Sequence, residues 1–411
     1  MYKFYYSLNS DFSEAKIIEL PVSSTKVSIN NLFKDSTYYI KLTAIIDGEE
    51  IGEATSSFKT TSLGPRTLHV DGIDNVRDIG GYELPDGKIS LQNKIYRGSE
   101  MNGSHGLALT EAGNKILGEE IGIKLDLDLR SPSDAPGVTK SPISTAKLEY
   151  FSIAGYEAAF LSNQKSVYKN IFSALANENN YPVYIHCWGG ADRTGTVCFL
   201  INALLGVSYR DLIHDYEYTT FSSFGERNSR PDTLYNFSGF YSQLNSDYSG
   251  DTLQEKVRNY MLDIGLTENE IYNIKAILRG ENTTIASSCP SEFNSALYSS
   301  LDVTTTYKSE ISKVLINNKE VNFVKTTSGF SIPSDEISDL ELDSTAKGKI
   351  IFADGKTSEF NFKVSGFEFV SFDEIHQFTG PIEVTSQTTF KEVIGYNKFL
   401  KIKIIFILNN F

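Results

Sequence analysis

The most constraining stretch of the chain is an apolar run, Tyr181-Pro182-Val183-Tyr184-Ile185-His186, that passes through Cys187-Trp188-Gly189-Gly190-Ala191-Asp192-Arg193 into the helix-forming segment Thr194 to Leu205. A strand that turns directly into a helix aims the amides of the turn and the positive end of the helix at one point, which suits an anion. Five residues separate Cys187 from Arg193, so the chain comes round once and the planar guanidinium forks onto two phosphoryl oxygens while sulfur faces phosphorus. A thiolate is nucleophilic where cations and oriented amides stabilise it, and the turn supplies both. Cys187 is therefore the expected nucleophile and Arg193 the oxyanion clamp. Trp188, Gly189, Gly190, Ala191 and Asp192 are expected to bind phosphate through their backbone. Thr194 is placed to donate to the sulfur as it leaves a phosphocysteine intermediate, and His186 to orient the turn from behind. Taken singly, each would read as a buried thiol, a surface Arg or a core His; it is their grouping that points to chemistry.

Around this segment the periodicity divides the chain in three. Residues 1–63 alternate apolar and polar positions, as in Lys26 to Ile29 and Tyr38 to Ala44, between polar turns. Residues 64–281 alternate buried-strand runs, such as Ile121 to Leu129, with helical segments starting near Leu109 and spanning Asn163 to Ala176. Residues 282–411 return to β patterning after a Ser- and Thr-rich opening, with Asn317-Asn318 and Asp354-Gly355 as hairpin turns and Phe399 to Leu408 as a last strand. The expected fold is an α/β domain, a central mostly parallel sheet with flanking helices, between two small β-sandwich modules, the second Ig-like.

A net charge of -14 among 411 residues disfavours nucleic acid and acidic membrane surfaces as partners. The three Cys and five His residues show no metal-ligand spacing, so no metal and no cofactor is implied. No run reaches the roughly 20 apolar residues of a membrane helix, and the N-terminus has no signal-peptide run.

The loop H-C-W-G-G-A-D-R-T-G-T resembles that of the atypical bacterial tyrosine phosphatases, H-C-x-x-G-x-D-R-T-G. Asn75 to Tyr82 resembles that family's N-x-R-D-x-G-G-Y signature, Ile95 to Ser99 the short strand after it, Asp128 to Ser131 its D-L-R-S segment, and Gly265 to Ile271 its closing helices. The resemblance spans about residues 67–280 and implies a cysteine phosphatase domain that hydrolyses phosphate monoesters of proteins or small molecules. Many relatives carry Lys where this chain has Ala191; its absence lowers the positive potential and favours phosphotyrosine over phosphoinositides or inositol phosphates. A phosphate-binding pseudo-enzyme is the rival class, and the intact Cys187 and Arg193 argue against it. For the general acid the resemblance points to Asp192, then to Asp128, whose other reading is a turn cap with Arg130. Arg77 and Asp78 are expected to form a supporting ion pair. Residues 1–63 resemble the second half of a fibronectin type III domain, with Tyr38 closing its corner. Such flanking modules accompany exported bacterial enzymes, so an extracellular or cell-surface location, possible surface or glycan contact and a truncated N-terminus are expected, with a cytoplasmic location as the alternative.

Overall fold

A computed structural model of the chain describes residues 1–230, 237–281 and most of 283–368, with short strands beyond. It divides into two compact units, Met1–Glu281 and Asn282–Phe411.

The first unit opens with one antiparallel sheet of β1 (Tyr2–Ser7), β2 (Lys16–Leu20), β3 (Thr37–Ile46) and β4 (Glu49–Lys59), in the order β2-β1-β3-β4. The hydroxyl of Tyr38, at the start of β3, accepts from the Phe33 amide at 2.9 Å. A second layer that would make this module a sandwich is absent among the described residues, because all four strands join one continuous ladder.

A six-stranded mixed sheet follows, in the order β5-β6-β7-β10-β8-β9. It is built from β5 (Arg66–Thr67), β6 (Arg77–Asp78), β7 (Ile95–Gly98), β8 (Leu125–Asp128), β9 (Lys147–Tyr150) and β10 (Val183–His186). The four strands β7, β10, β8 and β9 run parallel, with β10 paired to β7 on one side and β8 on the other. Every residue of β10 is buried, which is why it reads as a continuous rather than alternating run. The run Ile121 to Leu129 yields a ladder only from Leu125: a π-helical turn over Lys115–Glu120 continues α1 (Glu111–Asn114), and Gly122 at φ +73 breaks the extended path.

The helices are α2 (Ser162–Leu175), α3 (Arg193–Leu205), α4 (Tyr209–Glu217), α5 (Phe237–Asp247), α6 (Leu253–Asp263) and α7 (Glu268–Arg279). All of α3 after Arg193 is buried, and it packs with β10, α2 and α6 into one large core. Thr252 and Thr267 open α6 and α7 with full capping boxes, and Gly206 and Gly280 close α3 and α7 in the left-handed conformation.

The second unit packs a four-stranded sheet and a five-stranded sheet around a core that includes Leu301, Val314, Phe330, Ile350 and Phe362. Its Asn317-Asn318 turn joins Ile311–Ile316 to Lys319–Val321 with both residues at positive φ, as a two-residue hairpin requires. Asp354-Gly355 lies outside the described residues. Among the described residues no helix is long and apolar enough to cross a membrane.

Candidate active site

The C-terminal ends of the parallel strands β7, β8 and β10 lie side by side. The turn from Cys187 to Arg193 leaves β10 there, with strands on both flanks to supply support. Its carbonyls are all tied down. His186 Nδ1 lies 3.2 Å from the Cys187 oxygen, the Glu100 amide donates to Trp188 at 2.8 Å, and Asn75 Nδ2 to Gly189 at 2.9 Å. Arg97 Nη2 donates to Gly190 at 2.8 Å and to Ala191 at 3.3 Å, and the Thr196 amide to Asp192 at 2.9 Å. With six consecutive oxygens held against the protein, the peptide planes face their N–H groups the other way. No amide from Trp188 to Arg193 donates to a protein acceptor among the described residues. This is an anion nest at the N-terminus of a 13-residue helix.

Cys187 sits at its base, 3% exposed. Arg193 leads α3 and places its Nη1 2.8 Å from Asp134 Oδ2. Burial works against the Arg193 charge, but the Cys187 sulfur and Asp134 outweigh it and hold the guanidinium above its ordinary pKa. Thr194 Oγ1 is buried and has no hydrogen-bond partner among the described residues, so the expected bond to sulfur is not seen.

His186 lies beneath the turn. Its Nε2 is 3.0 Å from Asp126 and 3.9 Å from Asp128, and although burial disfavours the cation these two carboxylates raise its pKa to about 9. Imidazolium donates from both nitrogens, which suits a bridge between Asp126 and the Cys187 carbonyl.

Both carboxylates proposed as proton donors are committed elsewhere. Asp128 is fully buried, chelates Arg130 through Nε and Nη2, and accepts from the Arg130 amide at 3.0 Å. Burial pushes its pKa up, but His186 and Arg130 pull it lower still, so it stays an anion. Arg130 also donates to Glu100 at 2.9 Å. Asp192 accepts from Arg227 Nε at 2.8 Å and Nη2 at 3.1 Å, and from the Tyr156 hydroxyl.

Arg77 and Asp78 do not pair with each other. Neighbours on a strand point to opposite faces: Arg77 turns to Asp215 on α4 at 2.9 Å, Asp78 to Arg66 at 2.9 Å. Asp215 bridges Arg77 and Arg97, and although burial raises its pKa the two guanidiniums bring it below the usual carboxylate range. Arg97, wholly buried and absent from the sequence expectations, thus links Asp215 to the turn. The signal was available: a charged residue in the middle of the short Ile95-Tyr96-Arg97-Gly98 strand has to be partnered inside. Asp134 was missed too, three residues beyond the D-L-R-S segment on the loop that leaves β8 beside β10. Trp188 is 48% exposed and stacks on His105 with centroids 4.4 Å apart.

The family model described as the tyrosine phosphatase family matches residues 68–280, just over half of the chain. A tyrosine-protein phosphatase of Nostoc commune is 27% identical over 132 residues, which cover 26% of this chain and 44% of that protein. A putative tyrosine-protein phosphatase of Cupriavidus necator is 25% identical over 177 residues, 37% of this chain and 63% of that protein. The chain thus spans about half the length of these curated relatives. Among solved structures, the core catalytic domain of PP-IP phosphatase SIW14 from S. cerevisiae is 17% identical, with a TM-score of 0.25 over 41% of this chain and 93% of that one. On the family match and its extent, the chain belongs to the tyrosine phosphatase family.

Proposed function

We propose that the protein hydrolyses phosphate monoesters through a phosphocysteine intermediate, with phosphotyrosine as its substrate class. The observation that carries the reading is the nest itself: six anchored carbonyls, amides turned toward Cys187, and Arg193 beside the sulfur. Such a pre-formed set of donors stabilises the charge that builds on the transferring phosphoryl group without reorganising.

In the first step the Cys187 sulfur forms a bond to phosphorus while the bond from phosphorus to the ester oxygen breaks, and that oxygen takes a proton. Asp134 supplies it. Its side chain is partly exposed and its partner is Arg193, the guanidinium a phosphate would engage, whereas Asp128 is fully buried and Asp192 is forked by Arg227 rather than by Arg193. In the free protein the Arg193 hydrogen bond keeps the Asp134 pKa low. A bound phosphate competes for that guanidinium and sets a second anion nearby, both of which favour the protonated acid. In the second step water attacks phosphorus, the S–P bond breaks, and Asp134 takes back the proton.

The aromatic rim of Trp188 and His105 supports an aryl ester, since ring stacking adds to burial. Ala191, where a Lys would add a cation for a second phosphate, supports a singly phosphorylated one. The test is turnover of a phosphotyrosine peptide against a soluble phosphoinositide, with Cys187→Ser as control. Peptide turnover that survives a strong chelator and is abolished in the variant is expected. Activity that persists without the thiol, or disappears with the chelator, defeats the mechanism; preference for the phosphoinositide defeats the substrate class.

A further inference from the structure

The segment Ser222 to Arg230 is absent from every motif in the sequence, yet it grips the anion nest at two points. The Phe224 ring lies against Gly189 so closely that a Cβ there would come within 2.7 Å of it. Arg227, 6% exposed, closes a two-bond fork on Asp192, with Nε 2.8 Å from Oδ1 and Nη2 3.1 Å from Oδ2. Its remaining Nη1 donates to the Phe224 and Glu226 carbonyls at 3.1 Å each, so the segment folds around its own guanidinium. Three further contacts fasten it to the body. Ser223 N donates to Asp74 at 2.7 Å, Thr220 Oγ1 accepts from Arg227 N at 3.0 Å, and Ser229 donates to Glu217 at 2.8 Å.

Asp192 occupies the N-cap position of α3, where a carboxylate ordinarily turns inward to cap the helix amides. Here it makes no cap bond and faces Arg227 and Tyr156 instead. That orientation has two consequences. It fixes the residue next to Arg193, hence the direction in which the catalytic guanidinium leaves the chain. It also neutralises a carboxylate that would otherwise repel a phosphate dianion a few ångströms away.

We propose that Arg227 is a positioning residue, and that Ser222 to Arg230 is a clamp that holds the phosphate loop in its anion-binding conformation through Asp192 and Gly189. The proposal rests on phosphoryl transfer at Cys187 for its effect on rate, but its effect on anion binding can be read without turnover.

The experiment compares wild type, Arg227→Met, Arg227→Lys and the double variant Arg227→Met/Asp192→Asn in the full chain. Two readouts are taken: kcat and KM on a phosphotyrosine peptide, and the concentration of inorganic phosphate that half-protects Cys187 from iodoacetamide. Misplacement of a catalytic group by about 1 Å costs on the order of 10²-fold. Arg227→Met is expected to lower kcat/KM about 10- to 100-fold and to raise the half-protecting phosphate at least about tenfold. Arg227→Lys keeps the charge without the fork, so it regains phosphate affinity more than kcat. The double variant removes the uncompensated carboxylate and regains phosphate affinity to within about threefold of wild type. Values for Arg227→Met within about twofold of wild type overturn the clamp, and so does a loss that Asp192→Asn fails to relieve, since simple loss of packing predicts no relief. Should wild type turn over no monoester while phosphate still protects Cys187 as described, the proposed reaction falls and the clamp stands.

Discussion

The role proposed for Asp134 has the sharpest signature in rate. That residue touches Arg193 and is partly exposed, and its pKa in the free protein is low because that guanidinium hydrogen-bonds the anion. The protonated fraction that can donate therefore declines as pH rises through this depressed value, and the descending limb of kcat/KM should lie on the acid side. With phosphate on Arg193 the partner is shared and a second anion is added, so the descending limb of kcat should lie at higher pH than that of kcat/KM. Asp134→Asn is expected to flatten the kcat limb and to reduce kcat about 10²- to 10⁴-fold on an alkyl ester, less on a nitrophenyl ester whose leaving group needs no proton. An unchanged limb in this variant would return the role to another carboxylate.

At the level of the element, the turn between β10 and α3 tolerates side chains very unequally. Gly190 has φ +65, and a Cβ on it would stand 2.1 Å from the Gly98 oxygen at the end of β7. The backbone of β7 blocks relief, so Gly190→Ala displaces the turn or opens the Arg97 bonds to Gly190 and Ala191. Gly195, inside α3, is different: its nearest neighbours are side-chain atoms 3.4 Å away. Gly190→Ala should cost on the order of 1–3 kcal/mol, with Tm falling about 2–4 °C for each kcal/mol, and should weaken phosphate binding as well. Gly195→Ala should lie within about 1 kcal/mol of wild type, since Ala is the better helix former. Paired melting curves check both; equal shifts would show that the close approach at Gly190 is not what holds the turn.

For the whole molecule, the question is how much of the chain the site needs. The N-terminal sheet joins the α/β body inside one unit, and Arg66 is one point at which the two are fastened. Its guanidinium donates to Leu32 O at 3.0 Å and Asn31 O at 2.9 Å, lies 4.0 Å above the Phe33 ring, and pairs with buried Asp78. Lys34 and Gln92 exchange a second pair of bonds, both 3.0 Å. A chain of residues 1–281 is therefore expected to keep the melting transition and turnover of its unit. A chain of residues 64–281 should melt several degrees lower or precipitate, because it leaves a buried ion pair half open and Arg66 short of two acceptors. Equal stability of the two would show the sheet to be an independent module.

Local chemistry is legible in a linear chain wherever the partners are neighbours in sequence. The turn from Cys187 to Arg193, its strand and its helix all follow from glycine spacing and apolar patterning, because a loop of six residues between β10 and α3 has few ways to close. The Asn317-Asn318 hairpin and the capped starts of α6 and α7 belong to the same class. What the linear chain could not disclose is which charge meets which. Arg97, Asp215 and Arg77 converge from β7, α4 and β6; Arg227 reaches Asp192 across 35 residues and Asp134 reaches Arg193 across 59. Arg77 and Asp78 are adjacent yet face opposite ways, so proximity along the chain misled. An ion pair is worth forming inside a protein only where both groups are desolvated together and oriented, and that condition is set by the packing of β6, β7, α3 and α4. The proposed nucleophile Cys187 and the proposed phosphate ligand Arg193 thus belong to one segment, whereas the proposed proton donor, the anchored carbonyls and the grip on Asp192 exist only once distant segments have been brought against it.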